Sequence, residues 1–265
     1  MAVARDDGRA ALVGYLPTGF PTVDGSIAAL LALVEAGVDV IEVGLPYSDP
    51  VMDGPTIQRA AEHALAGGVR TRDTLRVVEA VAATGVPTLV MTYWNPVERY
   101  GVPAFARDLA AAGGAGLITP DLVPDEADAW IAASDEHGLD RVFLVAPSST
   151  DARVAFTAQA CRGFIYATAV MGVTGARDAV STLAPQLVAR VRRSSDLPVG
   201  VGLGVRDRAQ AAAVAGYADA VIVGSAFVSR LLEAADPAAG VEAVRALAGE
   251  LADGVRSPVA AAASS

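Results

Sequence analysis

Eight short runs of valine, isoleucine and leucine recur along the chain, separated by stretches with helical spacing. They cover residues 11–16, 38–43, 88–92, 116–119, 141–146, 164–168, 199–201 and 220–223. Each is nearly continuous rather than alternating, the pattern of parallel strands covered on both faces. Between them, 26–36 places Ile27, Leu30, Leu31 and Val34 on one helical face, and 125–136, 151–160 and 206–215 are built from good helix formers. Further helices are predicted over 70–84 and 240–251. Glycines in Ala36-Gly37, Ala112-Gly113-Gly114 and Ala215-Gly216 stand where a left-handed C-cap is wanted. No linker or composition break interrupts the alternation. It predicts an α/β fold, a single (β/α)8 TIM barrel with extra helices over 1–256, followed by a disordered tail at 257–265. A doubly wound open sheet is the alternative, but no GxGxxG follows the first run.

Composition narrows the chemistry. Of 265 residues, 20 are basic and 30 acidic, a net charge of −10 that disfavours nucleic acid and anionic membrane as partners. All 20 basic residues are arginine, so no lysine imine and no lysine-bound pyridoxal can form on this chain. Cys161 is the only cysteine, and His63 and His137 fall in no metal-binding spacing, so neither a disulfide nor a metal centre is expected. Cys161 reads as a core or helix-face residue, and the two histidines as helix-surface and helix-end residues. The acidic start Arg5-Asp6-Asp7 does not fit a signal peptide, and no apolar stretch is long enough to span a membrane. A cytoplasmic location follows as an expectation.

Barrel active sites lie at the carboxyl ends of the strands. After the second run comes Ile41-Glu42-Val43-Gly44-Leu45-Pro46-Tyr47-Ser48-Asp49-Pro50-Val51-Met52-Asp53-Gly54-Pro55. Glu42 shares parity with Val38 and Val40. If that parity faces the lumen, burial raises its pKa and lets it carry a proton near neutrality. Pairing with an arginine is the competing reading. Asp39, of opposite parity near the strand's start, reads as structural, and Asp53 sits in a turn-rich loop. Gly202-Leu203-Gly204 and Val223-Gly224-Ser225 each lead from a strand into a helix, an arrangement suited to phosphate but also to tight turns. Val170-Met171-Gly172-Val173-Thr174-Gly175 reads as a lid over the barrel mouth or as a simple connection. Trp130 is expected to pack, and Trp94 to line the pocket or a partner surface.

Together the motif from Glu42 to Gln58, Gly172-Val173-Thr174-Gly175, and Gly202-Leu203-Gly204 with Val223-Gly224-Ser225 resemble those of the tryptophan synthase alpha subunits. Tyr15-Leu16-Pro17-Thr18-Gly19-Phe20-Pro21 and Pro120-Asp121-Leu122 extend the resemblance over almost the whole chain. It implies cleavage of indole-3-glycerol phosphate to indole and glyceraldehyde 3-phosphate, by a retro-aldol route without a lysine. Glu42 would be the acid–base at indole C3 and Asp53 the acceptor of the indole N–H. Gly175, Gly204, Gly224 and Ser225 would bind phosphate, Tyr15 and Tyr166 would line the indole pocket, and Thr174 would meet Asp53 when the lid closes. The resemblance also implies a beta subunit carrying pyridoxal phosphate, an alpha2beta2 assembly, and an interface near Asp49, Asn95 and the Asp53 loop. This sequence departs from the commoner pattern at Phe20, Val170, Met171 and Leu203.

Three functions compete on these residues. Related phosphate-sugar barrels such as the ribulose-phosphate epimerases want metal-binding histidines at strand ends, and indole-glycerol-phosphate synthases a catalytic lysine. The sequence offers neither. A non-catalytic regulatory subunit would be favoured by loss of Glu42 or Asp53, and both are present.

Overall fold

The eight apolar runs form parallel strands β1 (Ala11–Pro17), β2 (Val40–Gly44), β3 (Thr88–Met91), β4 (Gly116–Thr119), β5 (Asp140–Val145), β6 (Ile165–Thr168), β7 (Val199–Gly202) and β8 (Ala220–Val223). Each pairs with the next, and β8 closes on β1 through Ala11↔Ala220 to Gly14↔Val223. The computed structural model describes residues 1–168 and 177–258. The candidate lid with Thr174 and Gly175, and most of the expected tail, lie outside the described residues.

Strand parity divides the interior into two apolar bodies. Inside the barrel, Ala11, Val13, Val40, Leu89, Ile118, Val142, Phe164, Ala220 and Ile222 pack on one another. The opposite parity, including Leu12, Leu16, Ile41, Val43, Leu117, Ile165 and Val201, packs outward under the helices. Because both faces are apolar, the strands show no polar alternation in sequence. Ala4 of the N-terminal helix α1 (Ala2–Asp6) and Met1 before it join the inner body. Asp39, at the amino end of β2, is structural as expected. It takes two hydrogen bonds from the Arg9 guanidinium at 2.7 and 2.8 Å and one from the Leu12 amide at 2.8 Å.

The outer shell comprises α2 (Val23–Glu35), α3 (Pro55–Ala66), α4 (Thr71–Ala82), α5 (Trp94–Tyr100), α6 (Val102–Ala111), α7 (Asp128–His137), α8 (Asp151–Ala160), α9 (Arg177–Arg192), α10 (Arg208–Ala215), α11 (Ser225–Glu233) and α12 (Pro237–Val255). Side-chain caps set several starts. Thr22 accepts the Gly25 amide, Thr150 that of Arg153, Asp207 that of Gln210 and Asp236 that of Ala239. These caps explain why α2 begins before residue 26, α10 after 206 and α12 before 240.

Some expectations are corrected. Residues 125–136 do not form one helix: a 3₁₀ turn at Pro124–Glu126 precedes α7, with the buried Ala127 between them. Gly37 and Gly113 take positive φ, but Gly216 has φ −67° and ends α10 in right-handed geometry. Gly113 and Gly114 do close a helix, α6. It is separated from α5 only by Gly101 at φ 95°. Trp130 is fully buried and Cys161 is buried directly after α8, where desolvation pushes the thiol up to about 11. His63 lies exposed on α3 with its ring edge-on to Phe20, and His137 is the last residue of α7.

Gly116 shows how tightly the barrel is drawn. A Cβ there would lie 2.3 Å from the Asp140 carbonyl oxygen, a backbone atom of the paired strand. Gly116→Ala is therefore expected to lower stability by about 3 kcal/mol, the upper part of the range for overpacking, read as a fall in the denaturant midpoint. An unchanged midpoint would mean that β4 and β5 can part without cost.

Candidate active site

Glu42 lies on the inner parity of β2, opposite Tyr15 in the β1 register. It is 1% exposed, and its Oε1 has no hydrogen-bond partner among the described residues. No described arginine lies within salt-bridge distance, so the paired reading does not hold among them. Desolvation alone acts on the carboxyl and pushes its pKa up to about 8. At neutral pH it is mostly a carboxylic acid, able to donate a proton.

Two tyrosines lie near it. The fields of Glu42 and Asp53 both raise the Tyr15 phenol, and those of Glu42 and Tyr15 raise that of Tyr166, although burial is the larger cause for each. Tyr15 therefore lies near both carboxyls, and Tyr166 near Glu42 and Tyr15. Glycines give the rings their seats. A Cβ on Gly44 would lie 2.4 Å from Tyr15 Oη, one on Gly224 3.0 Å from Tyr15 Cδ1, and one on Gly202 2.5 Å from Tyr166 Oη. Gly224, read in the sequence only as a phosphate contact, also makes room for an aromatic wall.

Asp53 sits half-buried on the loop between β2 and α3. Burial raises its pKa, and a hydrogen bond from Tyr93 opposes the rise. Its carbonyl accepts from Gln58 Nε2 at 2.7 Å. Thr56, three residues on, faces Ser225, Ala226, Arg206 and Arg230 across a cleft of about 270 Å³. The Asp53 loop is thereby brought beside the start of α11. The two candidate phosphate turns differ. The start of α10 is closed by the Asp207 cap, whereas α11 follows Gly224 with no side-chain cap. The amides of Ser225 and Ala226 and the Ser225 hydroxyl thus join Arg206 and Arg230 as donors beside this cleft. Gly204 takes φ 68°, a left-handed turn that leads the chain away from β7.

On the adjoining face, Pro46, Tyr47, Ser48, Asn95, Pro96 and Arg99 help to line a second cleft of about 430 Å³. Asp49 accepts a hydrogen bond from Ser48 beside it. The loop presents Val51 and Met52 to solvent, 78% and 53% exposed. Trp94 opens α5. It packs half-buried on the outer core, its amide held by the Asp121 carboxylate at 2.9 Å. Its neighbour Tyr93, passed over in the sequence, is the residue that reaches Asp53. The available signal was its position just after a strand on the catalytic face.

Among the described residues, no group of three or more His, Cys, Asp or Glu could hold a metal ion. No described helix is long and apolar enough to cross a membrane.

The family model for the tryptophan synthase alpha chain matches residues 1–256. The tryptophan synthase alpha chain of Salinispora arenicola is 71% identical over 255 residues, 96% of each chain. That of Mycobacterium tuberculosis is 68% identical over 252 residues, 95% of this chain and 91% of the relative. A crystal structure of tryptophan synthase from M. tuberculosis matches with a TM-score of 0.89 at 64% identity, covering 96% of both chains. The tryptophan synthase subunit alpha from Legionella pneumophila str. Paris matches at 0.84 with 33% identity, covering 96% of this chain and 95% of that one. With a shared motif set, a closed barrel and relatives at this level, the chain belongs to the tryptophan synthase alpha chain family.

Proposed function

We propose that Glu42 and Asp53 carry out in this chain the alpha reaction of tryptophan biosynthesis, the cleavage of indole-3-glycerol phosphate to indole and glyceraldehyde 3-phosphate. The observation that carries the reading is a buried carboxyl with an unpartnered oxygen and a pKa raised to about 8, with a second carboxyl, on a loop, near the same tyrosine, Tyr15. The enzyme is then a carbon–carbon lyase whose electron sink is the substrate's own ring nitrogen. Glu42, protonated at neutral pH, gives its proton to indole C3. Positive charge develops at the ring nitrogen, whose N–H is held by the Asp53 carboxylate. Glu42 is now the carboxylate in the cavity and takes the proton of the adjacent glycerol hydroxyl. The carbonyl of glyceraldehyde 3-phosphate forms, the carbon–carbon bond breaks, and its electron pair neutralises the indolenine nitrogen to leave indole. Each cycle restores the acid.

Tyr15 and Tyr166 form the walls for the indole ring. Gly204, Gly224, Ser225 and, from outside the described residues, Gly175 bind the phosphate, and Thr174 meets Asp53 on closure. Amides at an uncapped helix start suit a phosphate dianion in a chain without lysine. Residues 1–256 act as one barrel domain. The partner is a beta subunit in an alpha2beta2 assembly in the cytoplasm. The pyridoxal phosphate belongs to that partner, and its docking face includes Asp49, Asn95 and the exposed Val51–Met52 loop tip.

Indole release from indole-3-glycerol phosphate by the chain alone tests the reading, and none at all, with or without a beta subunit, would favour a purely regulatory subunit. In the same assay Gly204→Asp is expected to raise KM by about a hundredfold or more, because it adds a carboxylate and strains a left-handed turn beside the phosphate. An unchanged KM would move the phosphate elsewhere.

A further inference from the structure

The loop carrying Asp53 has little to hold it. Its tip residues Val51 and Met52 are exposed, and Pro46, Pro50, Gly54 and Pro55 punctuate it. Yet a carboxylate that must meet an indole N–H needs placement to a fraction of an ångström. Tyr93, two residues after β3 and 4% exposed, supplies a fixed point. Its ring lies against Tyr47 with centroids 5.2 Å apart. Its hydroxyl oxygen accepts the Met52 amide at 2.9 Å. The phenolic proton remains free to donate, and Tyr93 acts to hold the Asp53 pKa down against burial.

We propose that Tyr93 is the positioning residue for Asp53: one hydroxyl grips both the loop backbone and the carboxylate and ties them to the end of β3. The inference rests on the role proposed for Asp53 and deepens it. With Gln58 Nε2 on the Asp53 carbonyl and Tyr93 on the Met52 amide, the backbone is held on both sides of the Asp53 side chain. The stack on Tyr47 also joins this anchor to the second cleft, which Tyr47 helps to line.

Tyr93→Phe removes one oxygen and keeps the ring and its stack. The groups acting on the Asp53 carboxyl are Tyr93 and its own burial, with Tyr15 beside it; no described cation is among them. Losing the Tyr93 hydrogen bond leaves burial unopposed, so the acid limb of the pH–rate profile moves to higher pH. The expected result is a fall in kcat of about tenfold or more with KM changed by less than about threefold, since phosphate contacts are untouched. In an Asp53→Asn background the same change should cost nothing further, whereas a merely structural tyrosine would add its own loss and leave the acid limb in place. Thermal melting of the variant near that of the parent shows that the barrel is intact. Wild-type kcat with an unmoved acid limb, or a fully additive double variant, overturns the proposal while leaving the reaction assigned. Near-normal turnover by Asp53→Asn alone would instead overturn the reading beneath it.

Discussion

Glu42→Gln is expected to lower kcat for indole release by about 10²–10⁴, the usual cost of removing a proton-transfer group, and to leave affinity for glyceraldehyde 3-phosphate nearly unchanged. The amide fills the same buried space but can neither give a proton to C3 nor take one from the glycerol hydroxyl. Burial puts the wild-type carboxyl near 8, so the parent's activity should decline as pH rises past that value and the acid form is lost. The residual rate of the variant should lack that limb. Single-turnover indole formation across pH separates the two forms without interference from product release. A variant turning over at the parent's rate would remove Glu42 from the chemistry, and the burial of its carboxyl would then be a feature of folding alone.

Much of this was legible in the residues because barrel strands are covered on both sides. Continuous apolar runs marked all eight, and the shared parity of Val40 and Glu42 placed the carboxyl in the lumen once Val40 proved to belong to the inner body. The fate of Glu42 was less legible: a carboxyl among valines is equally consistent with an arginine partner until its surroundings are visible. Local competition hid other elements. Gly101 and the prolines at 96 and 103 obscured α5 and α6, and Pro185 sits inside α9. Gly216 looked like a left-handed cap, yet Tyr217 and Ala218 fold back onto Val214 with ordinary backbone angles. The seats that Gly44, Gly202 and Gly224 provide for Tyr15 and Tyr166 depend on contacts between different strands, which no spacing along one strand reports. Tyr93 escaped for the same reason, since its partner is a loop far away in sequence.

Glu42→Gln should also make the chain more stable than its parent at alkaline pH, in opposition to its effect on activity. A carboxyl whose folded pKa lies above its unfolded value holds a proton in the folded state that the unfolded chain releases. Stability from this group is therefore fully present below about 4.5, declines as pH rises, and is lost once pH passes about 8. At about 1.36 kcal/mol per pH unit, a rise from 4.5 to about 8 corresponds to about 5 kcal/mol across that window. Glutamine carries no such titration. Acids held low by arginine, such as Asp135 beside Arg141 and Asp151 beside Arg190, oppose this trend at acid pH, but they are common to both proteins and cancel in the difference. Urea unfolding of parent and variant at pH 5, 6.5 and 8 should show their free energies diverging in favour of the variant as pH rises. Parallel curves would mean that Glu42 ionises in the fold as easily as in water, and a carboxyl that does so could not supply the acid at neutral pH. The same desolvation that costs the folded chain stability is what keeps a proton on Glu42 for the indole ring, so the two measurements must succeed or fail together.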